Sequence, residues 1–328
     1  MDNTAYSLYM ISISVGIQAF MFISLGALAD YGSLRKGLLL FFAFLGGVVS
    51  ILFLATTGQY ILAGVFTILS NVCFGVSIVF YNAYLPLLIE AHPQMRELEA
   101  KKDKTMEEIA QKSQELSSKI STRGFIWGYV SGTALLIICC VILLLVGQDS
   151  IVAMQWCIAL SGIWWIAFTI PPAIFLKSRS GEPIPGKQFF LFFSWKQIIL
   201  SFLNIKKIPL TFLFLFCYFI FSDAYSTITS VAVLFGRREL HMSNTKLIII
   251  AIIAPFMAAI GNFIFLFIER RFKFQTKTML IVNLILLSLI PIYGMIGFAE
   301  NAPFGIIYEG EMYGIAVLYG FCLGNFFN

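Results

Sequence analysis

The chain has 328 residues, of which 59% are hydrophobic and 12% charged, and its net charge is +5. In a water-soluble domain about a quarter of the residues are charged. This composition therefore excludes a soluble globular domain and indicates a protein surrounded by lipid. The small net charge predicts no nucleic-acid partner. The six cysteines lie in apolar runs without CxxC or metal-ligand spacing, so we predict no disulfide, no metal site and no cofactor.

Long apolar runs follow one another along most of the chain. A membrane-spanning helix needs about 20 apolar residues, and lipid forces every backbone polar group to pair within its own segment, which favours helices. We therefore predict an all-α, polytopic membrane protein. The predicted spans are 7–29, 37–56, 59–80, 124–147, 151–176, 208–235, 247–268, 278–298 and a ninth from Glu311 to Asn328.

Two longer segments separate the spans into two predicted helical bundles. We predict an N-terminal transmembrane bundle over 1–176 with a charged cytosolic loop at 90–123, a central cytosolic loop over 177–207 and a C-terminal transmembrane bundle over 208–328. Nineteen of the twenty-two Lys and Arg residues fall in the loops after the odd-numbered spans. The positive-inside rule places these loops in the cytosol. The stretch 93–120 fits either an amphipathic helix or a solvated charged arm.

The segment GALADYGSLRK, residues 26–36, places three charged groups in one short cytosolic turn. Asp30 ends the first span and can pair with Arg35 or Lys36, so the turn could latch two helices in one conformation and release them in another. The alternative is a plain interfacial turn whose basic residues meet lipid phosphate. Arg123, at the cytosolic edge of the fourth span, could pair with Asp30 or with lipid. The candidates for this gating motif are Gly26, Asp30, Gly32, Arg35, Lys36 and Arg123.

Asp223 lies near the middle of the span 208–235. A carboxylate at that depth costs several kcal/mol unless it faces water or a partner, so we predict that it contacts a substrate ammonium group or carries a proton. A structural hydrogen bond to a neighbouring helix is the alternative. Three hydroxyl side chains follow at helical spacing on the same face, namely Ser226, Thr227 and Ser230.

Two further polar side chains, Asn71 and Asn82, lie on the span 59–80 and its extension. Asn71 is near the middle of the membrane and could bond a substrate carboxylate, although bonding to another helix is an equal alternative. In the fourth span, small residues recur every four positions and predict a face for tight helix packing. These residues are Gly124, Gly128 and Gly132.

The segment 26–36 resembles the Gly-x-Leu-x-Asp…Gly…Arg-Lys signature that major facilitator superfamily transporters carry between their second and third helices. Two differences stand out, since Gly32 follows Asp30 by two positions instead of three and Tyr31 replaces a basic residue. Four blocks together resemble the fungal autophagy-related permeases of that superfamily. The blocks cover residues 6–36, 70–88, 121–132 and 221–235.

This resemblance implies major facilitator-type helix bundles with twelve helices, of which we expect about nine here. The first helix, most of the tenth and the last two would be missing. Members of the family reside in the vacuolar membrane and export amino acids recovered from degraded cargo. The resemblance therefore implies a multi-pass vacuolar transporter that exports amino acids, neutral ones such as leucine, to the cytosol by alternating access during autophagic recycling. Its expected partners are the lipid bilayer and the amino-acid substrate, with coupling to protons left open.

Two other functions are alternatives to transport. A non-transporting, truncated remnant would follow from missing helices. A membrane-embedded enzyme would need an acid, base or metal cluster at one membrane face, but the two histidines, His92 and His241, fall on opposite faces of the predicted topology. We therefore predict that the chain is not an enzyme.

Overall fold

A computed structural model describes residues 3–31, 33–100, 105–147, 150–179, 181, 189–272, 276–297, 299 and 303–326. Every regular element within these ranges is helical. The α-helices are α1 (Asn3–Asp30), α2 (Arg35–Leu52), α3 (Tyr60–Asn82), α4 (Tyr84–Glu90), α5 (Pro93–Ala100), α6 (Met106–Val146), α7 (Ile151–Phe175), α8 (Phe190–Leu203), α9 (Pro209–Arg238), α10 (Asn244–Phe272), α11 (Thr276–Ile296) and α12 (Glu309–Phe326). Short 3-10 turns cover Phe53–Ala55 and Ile205–Lys207.

Eight helices in the described part of the chain are long and apolar enough to cross a membrane. They correspond to the first eight predicted spans, so the all-α polytopic fold is confirmed. The ninth predicted span is also helical, as the 18-residue α12, but this helix is not among those eight. It begins at Glu309, two residues before the predicted start.

The fourth span extends well beyond its predicted start. Helix α6 begins at Met106 and runs for 41 residues, so a large part of the segment predicted as a charged loop is helical. The side chain of Thr105 accepts a hydrogen bond from the backbone N–H of Glu108 and caps the helix. Lys112 and Glu115 form an ion pair of 2.9 Å on its surface. Mixed charge with helix-favouring residues thus continues the helix beyond the apolar run.

The segment 177–207, predicted as a central cytosolic loop, also contains regular structure. Residues Phe190–Leu203 form α8, and a 3-10 turn at Ile205–Lys207 leads towards α9. Ten of the fourteen residues of α8 are apolar. The helix is too short to be a span, because fourteen residues extend about 21 Å against a hydrocarbon core of about 30 Å.

The helices group into two compact units. The first unit comprises residues 1–88 and 149–217, and the second comprises residues 89–148 and 218–328. Residues 89–148, which include α6, thus group with the later helices, whereas the sequence placed them in the first bundle. The predicted bundle boundaries, at 177 and 208, stay a prediction.

In the first unit, α2 packs between α3 and α7, and α1 packs against α3 and α8. Helices α2 and α7 meet through glycine. A Cβ atom at Gly162 would lie 2.5 Å from the carbonyl oxygen of Gly47, and one at Gly47 would lie 3.1 Å from the carbonyl oxygen of Gly162. The backbones of these helices are therefore in direct contact, as small residues allow in membranes. By contrast, a Cβ atom at Gly128 or Gly132, where the sequence predicted tight packing, would meet no described atom within 4 Å, so this prediction of a packing face is wrong at both positions.

In the second unit, α10 packs against α6 and α12, and α11 packs against α12. Glycines again bring two backbones together, since a Cβ atom at Gly324 would lie 2.6 Å from the amide nitrogen of Asn262. An apolar cluster fills the space between α9, α11 and α12. Its buried members are Phe221, Tyr225, Leu287, Ile290 and Cys322.

We expect Gly162→Ala to destabilise the chain although alanine favours helices. The added methyl group would force the backbones of α2 and α7 apart, which costs about 1–3 kcal/mol. Gly128→Ala is the matched control, because the same methyl group enters open space and only the gain in helix propensity remains. Unfolding in a denaturing detergent titration measures both. Equal stability of the two variants would contradict the backbone contact.

Candidate functional site

A cavity of about 470 Å³ opens between α1 and α3 in the first unit. Its volume falls in the range of small-molecule sites, roughly 300–1,000 Å³. Four polar side chains line it among apolar and aromatic ones. They are Ser14 and Gln18 on α1, and Asn71 and Asn82 on α3.

The two asparagines share the cavity because of helix geometry. Asn71 and Asn82 are eleven residues apart, close to three full turns, so both project from the same face of α3. They are separated by about 16 Å along the helix axis, so the cavity is an elongated strip. Asn71 is half-buried and Asn82 is exposed. The sequence analysis named both residues as candidate substrate contacts, with helix–helix bonding as the alternative for Asn71, and the structure brings both to one cavity.

Gln18 was not predicted, and it joins the two walls of the cavity. Its Nε2 atom donates a hydrogen bond of 2.8 Å to the backbone oxygen of Asn71. Gly75 makes room for this contact, since a Cβ atom there would lie 2.8 Å from Cδ of Gln18. Ser14, one turn before Gln18, is buried, and its hydroxyl donates to the backbone oxygen of Ile11 at 2.7 Å.

The lining of the cavity is mostly apolar, with four polar side chains and no charged one. Amide side chains both donate and accept hydrogen bonds, so Asn71 and Asn82 can bind a carboxylate through N–H groups and an ammonium group through oxygen. Phe22 and Phe74 supply apolar surface beside them. This combination suits a small zwitterion with an apolar side chain.

The predicted gating motif is held by Arg35. This arginine is buried, and its guanidinium donates to the backbone oxygens of Ala29 and of Asp30 at the end of α1, the latter at 3.2 Å. Its guanidinium carbon also lies 5.8 Å from the ring centre of Tyr84. A cation at the C-terminus of a helix is favourable because the last carbonyl groups lack helical partners. Arg35 thus pins the start of α2 to the end of α1.

The other members of the motif differ in their surroundings. Within the described ranges, the carboxylate of Asp30 is exposed and has no ion-pair partner. Lys36 is half-buried, and Gly26 has no neighbouring atom within 4 Å where its Cβ would be. Gly32 lies outside the described residues. Pairing of Asp30 with Arg123 would join residues of the two units and stays a prediction.

Asp223 and the hydroxyl side chains beside it are exposed on α9. The helix carries Ser226, Thr227 and Ser230 on the face of Asp223, as the spacing predicted, and the hydroxyl of Ser230 donates to the backbone oxygen of Ser226 at 2.9 Å. In the part of the chain that the structure describes, the Asp223 carboxylate makes no hydrogen bond. Its role as a substrate or proton group stays a prediction.

The inner face of α9 carries a buried polar cluster that the sequence analysis missed. Asn283 on α11 is fully buried, and its Nδ2 atom donates to the hydroxyl of Tyr225 at 3.2 Å and to the backbone oxygen of Cys322 at 3.1 Å. The hydroxyl of Tyr129 donates to the backbone oxygen of Leu323 at 3.3 Å. A lone asparagine in the predicted span 278–298 was the signal for this cluster.

The described residues contain no group of three or more His, Cys, Asp or Glu side chains that could hold a metal ion. Apart from Asp223, the polar side chains described above within the spans are amides and hydroxyls, which bind by hydrogen bonding.

A family model described as "Vacuole effluxer Atg22 like" matches residues 1–327. Autophagy-related protein 22-1 of Aspergillus niger is 32% identical over 98% of this chain and 61% of its own length. Its namesake in Penicillium rubens is 30% identical over 98% of this chain and 63% of its own length. Autophagy-related protein 22 of Chaetomium globosum is 30% identical over 98% of this chain and 58% of its own length.

This chain spans about three fifths of the length of these relatives. No solved structure shows a significant match to it. The family match over nearly the whole chain confirms the resemblance to the fungal autophagy-related permeases, and the eight apolar helices agree with it. The chain is a multi-pass protein of the vacuolar membrane and belongs to the Atg22-like vacuole effluxer family.

Proposed function

We propose that this chain acts in efflux from the vacuole, exporting neutral amino acids such as leucine to the cytosol during autophagic recycling. The family supports the efflux role. The observation that carries the choice of substrate is the uncharged cavity between α1 and α3, in which amides and aromatic rings lie side by side.

In this proposal the cavity binds the amino acid through both of its charged groups. The N–H groups of Asn71 or Asn82 donate to the carboxylate, and an amide oxygen accepts from the ammonium group. Phe22 and Phe74 contact the apolar side chain of the substrate. A lysine or glutamate substrate would bury a further charge without a partner, which is costly, so the proposed cavity selects neutral amino acids.

Alternating access is the proposed mechanism of transport. Transporters of this general kind bind substrate near the midplane and expose the site to each side in turn. Arg35 would hold the ends of α1 and α2 in one state through the carbonyl groups of Ala29 and Asp30. Separately, Asp223 would take up a proton or a substrate ammonium group, because an exposed carboxylate in a span requires water or a partner.

Changes in the cavity test the substrate site. In vesicles that contain the chain and are loaded with labelled leucine, we expect Asn71→Leu to raise the substrate concentration for half-maximal efflux roughly tenfold, the value of one or two lost hydrogen bonds. Gly75→Ala should act similarly by displacing Gln18. Gly37→Ala on α2 is the control, since its methyl group would have no neighbour within 4 Å. Unchanged affinity in Asn71→Leu would refute the assignment of the cavity.

Asp223→Asn tests the proposed role of the membrane carboxylate. The change preserves shape but removes the negative charge, so we expect slower leucine efflux. Glu239→Gln is the matched control, because Glu239 is an exposed acid just beyond the end of α9. If the Asp223 and Glu239 variants behave alike, the carboxylate has no part in transport.

Arg35→Gln tests the proposed gate. The variant leaves the last carbonyl groups of α1 without a charged donor, and we expect the efflux rate to fall by about tenfold, equivalent to one charged hydrogen bond. Lys36→Gln, which removes the neighbouring charge, should retain most of the rate. An equal loss of efflux rate in both variants would contradict the proposed gate, because it would point to net charge instead of the contacts of Arg35.

A further inference from the structure

Helix α8 is attached to a membrane-spanning helix by polar and aromatic contacts. The hydroxyl of Ser194 donates to the backbone oxygen of Ser24 at 3.1 Å, and Nε1 of Trp195 donates to the hydroxyl of Ser24 at 3.3 Å. The rings of Phe193 and Tyr31 meet edge to face with their centres 5.1 Å apart. Ser194 and Phe193 are buried in these contacts.

The contacts fix the depth of α8 relative to the membrane. Ser24 lies six residues before the end of α1, which corresponds to about 9 Å along the helix axis. Because α1 is one of the membrane-spanning helices, its last turns lie at the boundary between hydrocarbon and lipid headgroups. The contacts of α8 run from this boundary, at Tyr31, inwards to Phe20, whose ring centre lies 5.7 Å from that of Trp195. Helix α8 therefore lies beside the membrane end of α1 rather than in the surrounding water.

The face of α8 that points away from α1 is apolar and exposed. The side chains of Phe192, Phe202 and Leu203 are 76%, 63% and 74% exposed. Such a contiguous apolar patch is rare on a surface that faces water and marks a binding surface. The neighbouring surface of α1 also exposes large apolar side chains, such as Phe20, so the patch continues the lipid-facing surface of a span.

Basic side chains accompany this apolar face. Lys196 on α8, and Lys206 and Lys207 in the turn that follows, are exposed. They belong to the loops after the odd-numbered predicted spans, which hold nineteen of the twenty-two basic residues and which the positive-inside rule places on one membrane face. A helix with aromatic and aliphatic side chains on one face and lysines beside them is typical of segments that lie flat in the membrane interface.

We propose that α8 lies in the membrane interface at the lysine-rich membrane face and binds anionic lipid headgroups. Phe192, Phe202 and Leu203 enter the boundary of the acyl chains, and Lys206 and Lys207 pair with headgroup phosphate. The stem of Lys196 runs along the apolar surface to reach the same level. Lipid fits better than a protein partner because the patch is continuous with a lipid-facing span and its charge is uniformly basic.

Hydroxyl-radical footprinting of the chain in lipid nanodiscs tests the insertion of α8. Rates of modification are normalised to those of the unfolded chain. We expect Phe192 and Phe202 to be protected as strongly as Phe41, an exposed side chain within the span α2. Met106, which is 83% exposed at the start of α6 outside the hydrocarbon, should react readily. Reaction of Phe192 and Phe202 at rates like that of Met106 would overturn the proposal.

Charge reversal tests the headgroup contact. Phosphatidylserine is titrated into the detergent-solubilised chain, and bound lipid is counted by native mass spectrometry. We expect the double variant Lys206→Glu/Lys207→Glu to bind phosphatidylserine about tenfold more weakly, because each basic residue contributes to attraction by an anionic surface. The control Lys112→Glu/Lys119→Glu makes the same change of net charge on α6 and should retain binding within about twofold.

Two further arms separate the sources of binding. Phosphatidylcholine should bind equally to both double variants, and inorganic phosphate should not displace phosphatidylserine. Equal loss in both double variants, or displacement by inorganic phosphate, would refute a lipid site at α8. Neither readout depends on transport, so these results stand apart from those on the proposed efflux.

Discussion

The hydrocarbon core of a bilayer offers no hydrogen-bond partner, so each polar side chain in a span must find one in the protein or face a water-filled space. This constraint explains both polar regions of the structure. Asn283 is fully buried and bonds to Tyr225 and to the backbone of α12. Gln18 bonds to the backbone of α3 beside an open cavity. The same amide chemistry holds helices together in one unit and lines a cavity in the other.

The spans were predictable because twenty apolar residues in sequence leave a chain few alternatives. The short helices were not predictable, because a stretch such as α8 is too short to show a clear helical periodicity of apolar residues. Its fourteen residues look like a mixed loop until Ser194 and Trp195 are seen to bond to Ser24. The start of α6 was obscured for a different reason. Its mixed charges suit a solvated arm equally well, and only the cap at Thr105 marks the beginning of the helix.

Only some of the polar side chains that line the candidate site were named from the sequence. Asn71 and Asn82 stood out as amides on one predicted span, and helical repeat alone puts them on one face. Gln18 did not, because the sequence does not tell which helix lies opposite. The hydrogen-bond acceptors of Arg35 were not predicted, for a similar reason. The charge pattern suggested the carboxylate of Asp30 as the partner, but the guanidinium donates to backbone oxygens at the end of α1. Every residue has a backbone oxygen, so the sequence does not indicate which of them accepts.

The contact of α2 with α7 through Gly47 and Gly162 has one more consequence. Glycine has no rotamers, so these two residues lose no side-chain freedom when the helices come together. The attraction comes from dispersion at close backbone approach, because lipid tails are as apolar as the helix surfaces and no hydrophobic effect drives the helices together. Such a joint does not draw on the release of ordered water that makes soluble cores weaker on cooling. Its strength should consequently change little between cold and warm conditions.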